Sequence, residues 1–247
     1  MKLEIDIPTS LNEIPLKSYQ QFVKLRQESN DEEFVAQKMV QIFCGLDFKD
    51  IVKMKLTSLN ELIDHFTKLF SSKPKFQPTF KLGGQEFGFI TDLENITFGE
   101  YVDIENNLLS WENYHKAMAV MYRPIKIKHK DKYEIIDYTP MSEMEELMKF
   151  APVDVVLASS VFFWTLGKEL LEASLSYLQK QVKMNKKIET TLASKLNLEN
   201  NGDGIQAYML SQEETLRNLT QLQDTDFLCV SRISPLKSKN KKSNKDS

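Results

Sequence analysis

The chain has 247 residues, 41% hydrophobic and 27% charged, with a formal net charge of -3, which suits an ordinary globular chain with one large core or two small ones. Leu236 to Ser247 holds five Lys and one Asp, so the body before it is acidic. That balance argues against a dedicated nucleic-acid surface and leaves phosphate attraction to the tail. Lys outnumbers Arg by 28 to 4, a bias of coding composition rather than of any site. Cys44 and Cys229 each sit in an apolar run and read as small buried hydrophobes in a reducing compartment. Glu4 and Asp6 stand where a signal peptide needs an apolar core, so no export is expected.

Residues 2 to 7 alternate, with Leu3, Ile5 and Ile7 on one side, and predict a half-buried strand closed by Pro8. Ser10-Leu-Asn-Glu13 has capping-box spacing, and Pro15 leads a first amphipathic helix to about Arg26. A second helix opens at Asn30 to Glu33 and stops at Gly45, and Asp47 caps a short third. Ser58-Leu-Asn-Glu61 opens a fourth with a wide stripe of Leu59, Leu62, Ile63, Phe66, Leu69 and Phe70. The hexapeptide Thr9 to Ile14 recurs almost unchanged as Thr57 to Leu62, which reads as one helix-start solution used twice.

Phe80 to Leu82, Gly83-Gly84 and Phe87 to Ile90 predict a β-hairpin, because paired glycines supply the positive φ angles of a tight turn. Thr97 to Glu100 caps a helix, and Ile96 to Tyr101 echoes Ile14 to Tyr19, each a strand feeding a helix. Trp111 to Tyr122 is one more helix, ended by Arg123-Pro124. Ile125 to Lys128 and Tyr133 to Tyr138 form a second hairpin about His129 to Lys132, and Ser142-x-x-Glu145 caps a short helix.

Val153 to Met184 is compatible with one unbroken helix of roughly 48 Å. Its first half, to Gly167, is apolar on nearly every face, which predicts that Phe162, Phe163 and Trp164 are largely core. With Asp154 inside it and Lys168 and Glu169 after it, that run is too short and too charged to span a membrane. In the second half, Leu171, Leu175, Leu178 and Val182 make a single apolar seam on a solvated rod, the candidate contact with a partner or a second copy. Asn200 to Gly204 is a loop, Ser211 to Glu214 caps a brief helix, and Phe227 to Ile233 reads as a strand or a partner-binding segment. The predicted organisation is a main helical domain over 1–184, a helical and loop extension over 185–235 and a disordered Lys-rich tail over 236–247. The fold class is α+β, predominantly α-helical, with two short hairpins or a small antiparallel sheet.

No catalytic constellation emerges. His65, His115 and His129 have no neighbouring Cys or His at ligand spacing. Glu199 to Gly204 imitates the start of a calcium loop, but position twelve would be Leu210 instead of a bidentate Glu. Gly83-Gly84 lacks a following helix with a phosphate-binding lysine. Carboxylate pairs such as Glu145 and Glu146 lie at helix starts, where the dipole accounts for them. These readings predict neither enzyme nor cofactor nor metal.

Taken together, the Ile14-Pro-Leu-Lys-Ser-Tyr19 helix, the Leu-Asn-Glu-Leu helix, the Phe80-Lys-Leu-Gly-Gly-Gln-Glu-Phe87 hairpin, Ile96-Thr-Phe-Gly-Glu-Tyr101, Tyr114 to Pro124 and Phe162-Phe-Trp resemble bacteriophage proteins described as tail assembly chaperone-like. The likeness covers about residues 3 to 183. It implies a non-enzymatic morphogenesis protein that holds an assembly-prone virion component in the cytoplasm of an infected bacterium. The alternatives are a structural subunit of a neck or tail ring and, third, a nucleic-acid-associated protein acting through the basic tail.

Overall fold

The computed structural model describes residues 5–92, 96–108, 110–130, 132–163, 165, 172, 176, 180 and 233–236. The chain divides into two compact units, Met1–Ser159 with Phe227–Ser247, and Ser160–Asp226. That division falls inside the long helix expected over Val153 to Met184. Among the described residues the fold is α+β and mostly helical, with one small antiparallel sheet.

The first unit begins with the helices. After a 3-10 turn at Leu11–Glu13 come α1 (Leu16–Glu28), α2 (Glu32–Cys44), α3 (Phe48–Ile51) and α4 (Leu56–Phe70). Asp31 caps α2 by accepting from the N–H groups of Glu33 and Phe34, and Gly45 closes it in the left-handed region at φ 63°. Along α4, Leu59, Leu62, Ile63, Phe66 and Phe70 of the expected stripe are buried, and Leu69 is half-buried. Phe43 of α2 is the hub of this core: its ring centroid lies 5.4 Å from Phe22, 5.3 Å from Phe66 and 5.2 Å from Phe70. Tyr19 carries the aromatic chain onward, 5.7 Å from Phe70 and 5.1 Å from Trp111. Each fully buried ring of this kind contributes about 1.5–3 kcal/mol.

Three expectations for the N-terminal region are corrected. Residues 5–7 are not strand. The repeated hexapeptide is not one solution used twice: Thr9 to Ile14 forms a 3-10 turn, whereas Thr57 to Leu62 lies inside α4, whose N-cap is Lys55. The reason is the next residue. Pro15 forces Ile14 out of the helical region, to φ -94° and ψ 118°, so the first copy cannot continue as a helix. Its Glu13 carboxylate is instead gathered by the Thr9 N–H, the Thr9 hydroxyl and the Ser10 hydroxyl, which hold its pKa below the ordinary carboxylate range. The echo between Ile14 to Tyr19 and Ile96 to Tyr101 is likewise only local, since Tyr19 is core and Tyr101 is half exposed.

Four strands follow, β1 (Thr79–Leu82), β2 (Gln85–Phe89), β3 (Tyr122–His129) and β4 (Lys132–Ile135), in the order β1-β2-β3-β4 with every pair antiparallel. Both expected hairpins are present and join into this meander. Gly83 and Gly84, at φ 58° and 83°, make the first turn. Between β2 and β3 run α5 (Phe98–Leu108) and α6 (Tyr114–Met121). One face of the sheet carries Phe80, Phe87, Phe89 and Tyr122 in mutual ring contact. On the opposite face, the Tyr133 ring of β4 reaches across β3 to lie over Gly88. Tyr122, expected at the end of a helix, opens β3 instead. Its hydroxyl donates to the Gln77 carbonyl at 2.7 Å, and burial pushes its pKa well above the usual phenol range.

After β4 come α7 (Ser142–Met148) and α8 (residues 153–163). The junction before α8 is tied to the start of α1: the Leu16 N–H donates to the Ala151 carbonyl and the Val153 N–H to the Ile14 carbonyl, both at 2.9 Å, around a bridge between Pro15 and Pro152. From Val153 to Ser160, α8 is enclosed apart from partly exposed Asp154. Then the enclosure ends. Val161 is 40% exposed and Phe162 and Phe163 are only half-buried, so the core assignment of these two rings is corrected, and Trp164 lies outside the described residues.

Candidate functional site

The polar centre of the first unit is built on the start of α5. The Thr97 N–H and hydroxyl both donate to Glu100 Oε2 at 2.7 Å, and the Glu100 N–H returns a bond to the Thr97 hydroxyl at 3.2 Å. This is a reciprocal capping box. Its carboxylate is unusual in being buried, 4% exposed, and in using its second oxygen, Oε1, to accept from Arg123 Nη2 at 2.6 Å. Arg123 stands in β3 at the position paired with Gly88 and is itself 8% exposed. A buried pair of this kind survives only when the remaining lone pairs and protons are satisfied. Glu100 meets that condition. Arg123 falls one atom short, since its Nε is buried without a partner.

Tyr138 completes the cluster. Its ring packs against Gly99, its face stands 5.9 Å from the Arg123 guanidinium carbon, and its hydroxyl donates to Asp103 Oδ2. Burial first, and then the Asp103 carboxylate, pushes the Tyr138 hydroxyl well above its ordinary pKa. A cleft of about 200 Å³ opens beside this group, with Asp103, Lys116, Arg123, Asp137, Tyr138 and Glu145 among its lining residues. Both carboxylate oxygens of Glu100 are engaged, Oε2 by Thr97 and Oε1 by Arg123, so the side chain braces α5 against β3.

Above the brace, α5 turns aromatic side chains outward. Phe98 is 82% exposed and Tyr101 50% exposed, one helical turn apart. These large rings stand open on a helix whose first turn is fastened by a buried ion pair.

A second surface lies on α4. The Asn60 side-chain amide donates to the Leu236 carbonyl at 3.1 Å and accepts from the Leu236 N–H at 2.9 Å, while the Thr67 hydroxyl reaches the Ile233 carbonyl at 3.4 Å. Ile233 is buried. Ile233 to Leu236 thus lies along α4 as an extended segment held largely by its backbone.

The seam of Leu171, Leu175, Leu178 and Val182 lies outside the described residues, as does the Lys-rich tail from 237 onward. The histidines are placed apart. His65 contacts the Pro8 carbonyl at 2.7 Å, His115 packs beside Gln20, and His129 ends β3. Among the described residues no group of three or more His, Cys, Asp or Glu side chains could hold a metal ion, and no helix is long and apolar enough to cross a membrane. Cys44 is half-buried, and desolvation with the nearby Asp6 charge pushes its thiol up to about 11. Sequence reasoning found the Thr97–Glu100 cap but missed its link to Arg123. The available signal was that Arg123 is one of only 4 arginines in a chain with 28 lysines.

Set against protein-family models, curated proteins and solved structures, the chain matches none of them.

Proposed function

We propose that this chain is a non-enzymatic bacteriophage assembly protein of the tail assembly chaperone kind, which binds a virion component in the cytoplasm of the infected host. The sequence resemblance supplies the class. The observation that carries the binding role is the exposed Phe98 and Tyr101 pair on the braced first turn of α5. Aromatic side chains dominate the energetics of protein interfaces, and rings presented on a rigid element lose little entropy on docking. Such a surface suits transient holding of an assembly-prone protein, whose own apolar patches would otherwise associate with each other.

Two measurements test this. Mass spectrometry of purified virions should not find the chain, whereas a fixed small copy number would make it a ring subunit. Phe98→Ala with Tyr101→Ala should leave the melting temperature nearly unchanged and abolish co-purification with co-expressed tail proteins. Retained co-purification would refute the aromatic pair as the contact. Binding of duplex DNA that weakens steeply with salt would transfer the function to the basic tail.

A further inference from the structure

The segment Ile233 to Leu236 is held in a way that reads little of its own sequence. Asn60 grips the backbone N–H and C=O of one residue, Leu236, as a neighbouring strand would, and Thr67 grips the carbonyl of Ile233. Asn60 and Thr67 are two helical turns apart on α4, about 10 Å along its axis. Three residues of extended chain span about the same length. The helix therefore offers two backbone anchors at the natural repeat of an extended peptide running antiparallel to it. Ile233 is buried and Leu236 half-buried, while Ser234 and Pro235 between them are exposed. Pro235 is tolerated because neither anchor asks it for an N–H.

A binding mode of backbone hydrogen bonds plus two apolar contacts accepts any extended segment with apolar residues three apart. We propose that this face of α4 is a peptide-docking site for an extended protein segment of that pattern, with Ile233 to Leu236 as its tethered occupant, displaced when a partner's segment binds. Covalent attachment makes the resident segment an intramolecular competitor, so the site opens only to a partner that outbids it or when the segment is released. No side-chain charge takes part in the anchoring contacts. Affinity then depends on the apolar pattern rather than on salt.

The probe is a fluorescein-labelled synthetic peptide of residues 230–239, titrated by anisotropy into full-length protein. The opening variants are Ile233→Asp, which places a charge in the buried position, and Leu236→Pro, which removes the N–H that Asn60 accepts together with the half-buried leucine side chain. Either opened chain should bind the peptide roughly tenfold or more tightly than the unaltered chain. Adding Asn60→Ala to the opened chain should remove that gain, and a peptide carrying Ile233→Asp and Leu236→Asp should not bind. Equal binding by the opened and unaltered chains overturns the proposal, as does indifference to Asn60→Ala. Loss of the folded circular dichroism spectrum in both opening variants also overturns it, because the segment would then be a fixed part of the core. The assay contains no phage component, so its failure and the failure of the assembly reading are separate results.

Discussion

Arg123 Nη2 meets Glu100 Oε1 at 2.6 Å with both side chains buried, and this one bond joins the cap of α5 to the middle of the sheet. Removing one partner strands the other charge. Arg123→Met should therefore cost about 3–5 kcal/mol in urea unfolding, far more than a surface ion pair. Glu100→Leu combined with Arg123→Met should recover most of that loss, leaving about 1 kcal/mol for the missing cap. A double mutant no more stable than the single would show that the pair's hydrogen bonds, and not the stranded charge, set the cost.

Gly88 is required by its neighbour on β4. A Cβ there would stand 2.3 Å from Tyr133 Cε2 and 3.1 Å from Ile125 Cγ1. The tyrosine cannot swing aside freely, because its hydroxyl lies 3.0 Å from both the Pro78 and the Phe89 carbonyls. Gly88→Ala should destabilise by about 1–3 kcal/mol. In a Tyr133→Ala background the same change should cost much less, a coupling that a double-mutant cycle in denaturant reads directly.

His115 should make the fold acid-sensitive. Its pKa is lowered, chiefly by burial and then by the Lys149 charge. Gln20 Nε2 lies 3.1 Å from its Nδ1, an arrangement that suits an unprotonated acceptor nitrogen. The unfolded chain, titrating near 6.5, then binds the proton more readily than the folded one. Stability from this group is present above about pH 6.5 and is lost as pH falls through the lower folded value. His115→Gln should flatten the fall in melting temperature between about pH 7 and pH 5. An unchanged pH profile would place the acid sensitivity elsewhere.

The leucine seam offers a separate test by charge. Leu175→Glu puts a carboxylate in the middle of Leu171, Leu175, Leu178 and Val182, and a closed apolar seam cannot absorb it without cost. The expected result is a chain that stays folded by circular dichroism and loses self-association or its client in sedimentation. Unfolding would make the seam intramolecular.

Much of the architecture was legible because it depends on short-range rules. The α4 stripe, the Asp31 cap, the Gly45 stop and the Gly83-Gly84 turn each follow from a few adjacent residues. What escaped was set at a distance. Thr9 to Ile14 and Thr57 to Leu62 carry nearly the same letters, and only Pro15 separates a 3-10 turn from a helix. Tyr122 reads as helical by its spacing, yet pairing with Phe89 makes it strand. Glu100 looks like any cap residue until Arg123 arrives from β3 to bury it. The half-buried state of Phe162 and Phe163 is likewise invisible in an apolar run, since composition says what wants cover and not where cover ends.

The clasp at Pro15 and Pro152 bears on the order of folding. Its bonds from Leu16 to Ala151 and from Val153 to Ile14 join backbone from opposite ends of the first unit's main run of sequence. Closing so long a loop carries an entropic cost that no local contact repays, so such closures lag behind nearby pairings. The helices gathered around Phe43 and the hairpin at Gly83 can each form from neighbouring chain, whereas the clasp needs almost all of the unit to be in place. In pulse-labelling during refolding, the Leu16 and Val153 amides should gain protection after those of α4. In native exchange they should report the opening of the whole unit rather than the fraying of one helix.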